Sequence, residues 1–197
     1  IWGVIYLGLL AFTVYQLLPS QSENPRLKRI GWWFAIGNVA NAAWILFWHY
    51  EVFAVTLALM LILLASLLII YIQLGNGRGE AGRLERLVVD LPFSIYLGWI
   101  TVATVANATD VLYTLGWNGA PLSGQLWAVI MMVVATALAV LMSLRHRDVA
   151  YVAVIVWAFA GIAVKQSAAQ LVSWSAVALA VIAAATALAS VIRRKAV

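Results

Sequence analysis

The sequence predicts an all-α fold, a polytopic transmembrane helical bundle of seven spans, on three observations. Hydrophobic residues make up 65% of the 197-residue chain and charged residues 10%, with a mean hydropathy of +1.01, beyond what a soluble domain of this length tolerates. Seven apolar runs approach the roughly 20 residues that a helix needs to cross hydrocarbon, and none shows the alternation of a barrel strand. The basic residues fall in short clusters between these runs.

The first run, about 1–18, opens IWGVIY and carries Trp2 and Tyr6 one helical turn apart. PSQSENPRLKRI, with two prolines and a basic cluster, reads as a surface connector to the second run, about 30–50. That run holds Asn38 and Asn41 one turn apart, followed by Trp44, Trp48 and His49. The third run, about 52–74, leads into GNGRGEAGRLERL, a glycine-rich stretch with a short amphipathic lead-in. Its glycines lack the lysine and the strand-to-helix setting of a phosphate loop, so its arginines are assigned to anionic headgroups. The fourth run, about 90–116, contains WITVATVANATD, residues 99–110. The fifth, sixth and seventh runs, about 122–143, 149–165 and 168–192, are rich in Ala and Val, and AVIAAATALAS in the last offers small side chains for close helix packing. The first four runs therefore read as the working part and the last three as a packing or partner surface.

Charge sets the expected orientation. If the helices alternate, eleven of the twelve Lys and Arg residues share one side, and Lys165 alone lies on the other. Because basic loops stay cytoplasmic, the chain is expected to start outside and end in the cytoplasm. The first run has neither a basic leader nor a cleavage site, and with no initiating methionine a natural amino terminus upstream of Ile1 is expected.

Several function classes fall away. Without cysteine there are no disulfides, thiolate metal sites or cysteine nucleophiles. His49 and His146 are 97 residues apart, so no metal site is expected. The basic clusters form no nucleic-acid face, and no nucleic-acid partner is expected. A retinal protein needs a lysine midway along its last helix, and none lies between Ala168 and Ile192. His49 and Glu51 are read as solvated groups at a helix end, which leaves an enzyme the third and weakest of the readings.

The polar residues inside the apolar runs are the informative ones. At 100° per residue, Trp99, Ala103, Ala106, Asn107 and Asp110 fall near one face of the fourth helix. Polar groups in hydrocarbon must meet protein or a cavity. The plain account is hydrogen bonding between helices. The sharper one is an amphipathic pocket between the first, second and fourth helices, with Asn38 and Asp110 at its polar rim. Trp32, Trp33, Trp48, Trp117 and Trp127 read as interfacial anchors. Trp44, Trp99 and Trp157 lie deeper, as pocket wall or core.

Three segments carry a resemblance. WITVATVAN (99–107), NAAWILFW (41–48) and IWGVIYLGLLAFTVY (1–15) resemble, in that order, the fifth, third and second helices of the translocator protein family, the tryptophan-rich sensory proteins (TspO/MBR). The resemblance spans residues 1–117 and implies a five-helix family core whose first helix and pocket-covering loop precede Ile1. Residues 118–197 are then a three-helix C-terminal transmembrane extension. It further implies a bacterial-type plasma membrane and a porphyrin, haem-like tetrapyrrole or other hydrophobic ligand, with no cofactor required. By position, Trp2, Tyr6, Asn41, Trp44, Trp99, Ala103 and Asn107 would line the pocket. VLYTLGWN (111–118) has no basic residue after Tyr113, so sterol binding is not expected. A sensory, transport or ligand-handling role follows, with a scaffold or accessory subunit of a membrane complex, or a homodimer, as the alternative use of the same surfaces.

Overall fold

A computed structural model describes residues 1–75 and 81–195, and among them every regular element is helical. The main helices are α1 (Trp2–Gln16), α2 (Pro25–His49), α3 (Phe53–Leu74), α4 (Leu91–Thr114), α5 (Gly124–His146), α6 (Val149–Lys165) and α7 (Gln170–Lys195). A single turn at Arg83–Glu85 and a π-helical turn at Arg86–Asp90 lead into α4. Asn76–Glu80, the core of the glycine-rich stretch with its Arg78, lies outside the described residues.

The expected seven spans become seven apolar helices of unequal length. Five are long and apolar enough to cross a membrane: α2, α3, α4 with its lead-in, α5 and α7. With 15 and 17 residues, α1 and α6 reach only about 22 and 25 Å at 1.5 Å per residue, against about 30 Å of hydrocarbon. The connector before α2 is also more ordered than expected. Pro25 takes the first helical position and the Asn24 side chain accepts from the Arg26 N–H at 3.0 Å, so the helix starts inside PSQSENPRLKRI and absorbs its basic cluster.

The chain forms two compact units, Ile1–Ala108 and Thr109–Val197, which divide within α4. In the first, α2 packs along α3. Phe12, Phe34 and Phe93 join α1, α2 and α4 through edge-on ring contacts at 4.9 to 5.8 Å. Gly8 lets α1 approach α4 closely, since a Cβ there would stand 2.9 Å from the Pro92 Cβ.

A buried ionic cluster fastens one end of this unit. The Arg26 guanidinium, 11% exposed, donates to Glu85 at 2.7 Å, to Asp90 at 2.8 Å and twice to the Leu74 carbonyl, at 2.6 and 3.2 Å. The π turn makes this possible. Leu91 N–H bonds back to the Arg86 carbonyl, five residues earlier, because Pro92 has no N–H and its ring crowds the carbonyl of Val88. In an α-helix Glu85 and Asp90 would point about 140° apart; the wider turn brings both carboxylates to one guanidinium.

In the second unit α5 and α6 pack on α7, around small residues including Ala135, Ala139, Ala176 and Ala183, as close helix approach requires. Ser123 and Asp148 accept from the Leu126 and Tyr151 N–H groups and cap α5 and α6. Ser173 Oγ on α7 donates to the Ala163 carbonyl at 2.9 Å, tying α6 to α7. Trp127 Nε1 donates to the Gly119 carbonyl at 2.8 Å, beside the Trp117 ring. Trp157 is 63% exposed, so it is neither pocket wall nor core.

Candidate functional site

Most of the site residues expected from the sequence fall into two groups within the first unit, one closed by hydrogen bonds and one lined with unpaired donors. The closed group joins α2, α3 and α4. Asn107 is 2% exposed; its Oδ1 accepts from Trp44 Nε1 at 3.3 Å and its Nδ2 donates to Thr56 Oγ1 at 2.8 Å. Thr56 in turn donates to the Phe53 carbonyl at 2.7 Å. Trp44 stacks on Trp48 at 5.1 Å, and Trp48 meets Phe53 edge-on at 5.3 Å. A buried amide retains its place here because both of its ends are satisfied.

The second group is aromatic and joins α1 to α4. Trp2 stacks on Tyr6 at 5.5 Å and meets Tyr96 and Trp99 edge-on at 6.4 and 6.1 Å. Tyr6 is 46% exposed and Tyr96 only 3%. The Tyr96 hydroxyl and Trp99 Nε1 are buried without a protein hydrogen-bond partner, as is Asn41 Oδ1 on α2. Such groups are few in native interiors and each asks for a reason.

The remaining expected residues are plainly placed. Ala103 is half-buried on α4, and Asn38 is exposed, its Nδ2 donating to the Phe34 carbonyl at 2.9 Å. Asp110 falls in the second unit, exposed. Thr101 and Thr104 donate to the Leu97 and Ile100 carbonyls at 2.8 and 2.7 Å. This back-bonding is how their hydroxyls are tolerated in an apolar helix.

Sequence reasoning missed Thr56, Tyr96 and the Arg26 cluster. Tyr96 was within reach, since the stripe 99, 103, 107 continued one turn backward ends on it. Thr56 carried no such signal, because its bond to Asn107 spans 51 residues.

A small crevice adjoins Tyr96. Lined by Trp33, Phe34, Gly37, Asn38, Leu63, Leu67, Ile70 and Tyr96, it offers about 10 Å³ of free volume. That is room for about one water molecule, against roughly 300–1,000 Å³ in a pocket for a drug-sized ligand. No group of three or more potential metal ligands occurs among the described residues.

A family model described as TSPO-like protein matches residues 1–189, across both compact units and into α7. No curated protein and no solved structure matches the chain.

Proposed function

Because this chain belongs to the TSPO-like protein family and has helices fit for a membrane, we propose that it binds a tetrapyrrole or similar flat hydrophobic ligand in the bilayer, for sensing, transport or handling. The observation that carries this reading is the aromatic group of Trp2, Tyr6, Tyr96 and Trp99, with its unpaired buried donors. A flat ligand would stack on these rings. The crevice at Tyr96 is too small for a macrocycle, so the ligand approaches from the flank where Tyr6 is exposed and displaces side chains as it seats. Trp44 and Asn107, bonded to each other, serve as the wall behind it, with Asn41 and Ala103 toward the ligand. In this reading all seven helices cross, the basic side is cytoplasmic and residues 118–197 extend the ligand-binding part.

Porphyrin titration followed by tryptophan fluorescence tests it. Trp99→Ala and Ala103→Phe are expected to weaken quenching at least about tenfold, the first by removing a stacking surface and the second by filling space. Unchanged titrations in both variants would overturn the reading.

A structural subunit is the second reading, favoured by the satisfied bonds of Asn107 and the small crevice. Purification from native membranes with a stoichiometric partner and no bound chromophore would favour it.

A further inference from the structure

We infer that the site selects ligands bearing a hydrogen-bond acceptor, a carbonyl or carboxylate oxygen, and that Tyr96 and Trp99 are the residues that read it. The inference rests on the binding proposed above and adds the chemistry of the ligand and a residue, Tyr96, that the family resemblance did not supply. Tyr96 and Trp99 are three positions apart on α4 and therefore on one face. Both rings lie against the same Trp2 indole, at 6.4 and 6.1 Å, so one ligand edge inserted beside that indole would meet both residues. Each polar atom is buried without a protein partner.

The residue types decide the sign of the recognition. An indole N–H only donates, and a phenol at neutral pH donates most strongly to an oxygen acceptor. A protonated amine, which only donates, has nothing to offer the indole. An apolar edge would leave both groups unsatisfied, and a site built around buried donors rejects ligands that lack the matching acceptor far better than an apolar site rejects a misfit. Nearby hydroxyls are already committed: Thr101 and Thr104 donate to their own helix and Thr56 to Phe53. The two donors are set apart from this pattern. Half-buried Trp2 is the ring common to both.

Three porphyrins of the same macrocycle class test the inference with the full chain in lipid nanodiscs: protoporphyrin IX with carboxylates, its dimethyl ester with carbonyls alone, and etioporphyrin with alkyl groups only. The acid and the ester are expected to bind about tenfold or more tightly than etioporphyrin. A preference for the acid over the ester identifies a carboxylate; equal binding of the two identifies a carbonyl. Tyr96→Phe and Trp99→Phe keep an aromatic ring and remove the donor, so each is expected to weaken the acid and the ester more than etioporphyrin, narrowing the ratio of affinities by about threefold or more whatever the loss of stacking common to all three. Equal binding of all three ligands by the unaltered chain, or a preference untouched in both variants, overturns the inference and leaves the binding proposal standing. Binding of none overturns both.

Discussion

Asn107 shows how a single amide can hold three helices together in an apolar medium. Its oxygen takes the Trp44 N–H and its nitrogen serves Thr56, so no polar end faces hydrocarbon. Asn107→Ala would strand the Trp44 N–H and cost about 1 kcal/mol, within the range found for hydrogen bonds between membrane helices. Reversible unfolding in mixed micelles measures the loss, and a shift in tryptophan emission reports the changed surroundings of Trp44. Thr56→Val should cost less, because Trp44 keeps its acceptor. A stability unchanged by Asn107→Ala would mean that the amide is not a fastening point. The contrast with Tyr96 and Trp99 is chemical: there the donors are buried and unpaired, a state that lowers stability and suits a site that receives something.

At the scale of elements, the lead-in to α4 depends on charge. Arg26 is bound by two carboxylates and by the last carbonyl of α3, where the negative end of that helix also favours a cation. Buried ion pairs add little over apolar packing, yet removing one partner is costly. Arg26→Met should therefore destabilise by about 3–5 kcal/mol, while the triple change Arg26→Met, Glu85→Met, Asp90→Leu should recover most of it. Thermal unfolding of the two variants checks this, and a triple variant no better than the single would show that packing of the side chains, not charge, dominates. The periodicity of the apolar runs located the helices, but it could not report this cluster. Arg26 and its carboxylates are 59 and 64 residues apart, and the π turn that aligns them has no hydrophobic period of its own. Pro92 was its visible trace.

The whole molecule poses a question of thickness. Among the described residues seven apolar helices are present, but α1 and α6 are short, and a short helix crosses only where the bilayer thins or flanking residues reach for the interface. The distribution of basic residues favours crossing by both. Since the chain has no cysteine, single replacements give a clean test. Arg147→Cys and Gln166→Cys, before and after α6, should be labelled by an impermeant maleimide from opposite faces of oriented vesicles. Labelling from one face would leave α6 lying along the membrane and reverse the assignment of everything after it.

Composition and periodicity alone determined the membrane class, the apolar helices and the polar stripe on α4, and the match of the chain's residues to a family model determined the family, since these are properties of the sequence read along the chain. Tertiary structure alone decided that Asn107 bonds Thr56 and Trp44, that Trp2 meets both Tyr96 and Trp99, and that Arg26 gathers two carboxylates across a wide turn. Periodicity gives the face of a helix; which residue of another helix meets that face depends on relative rotation and height, fixed only when distant segments pack.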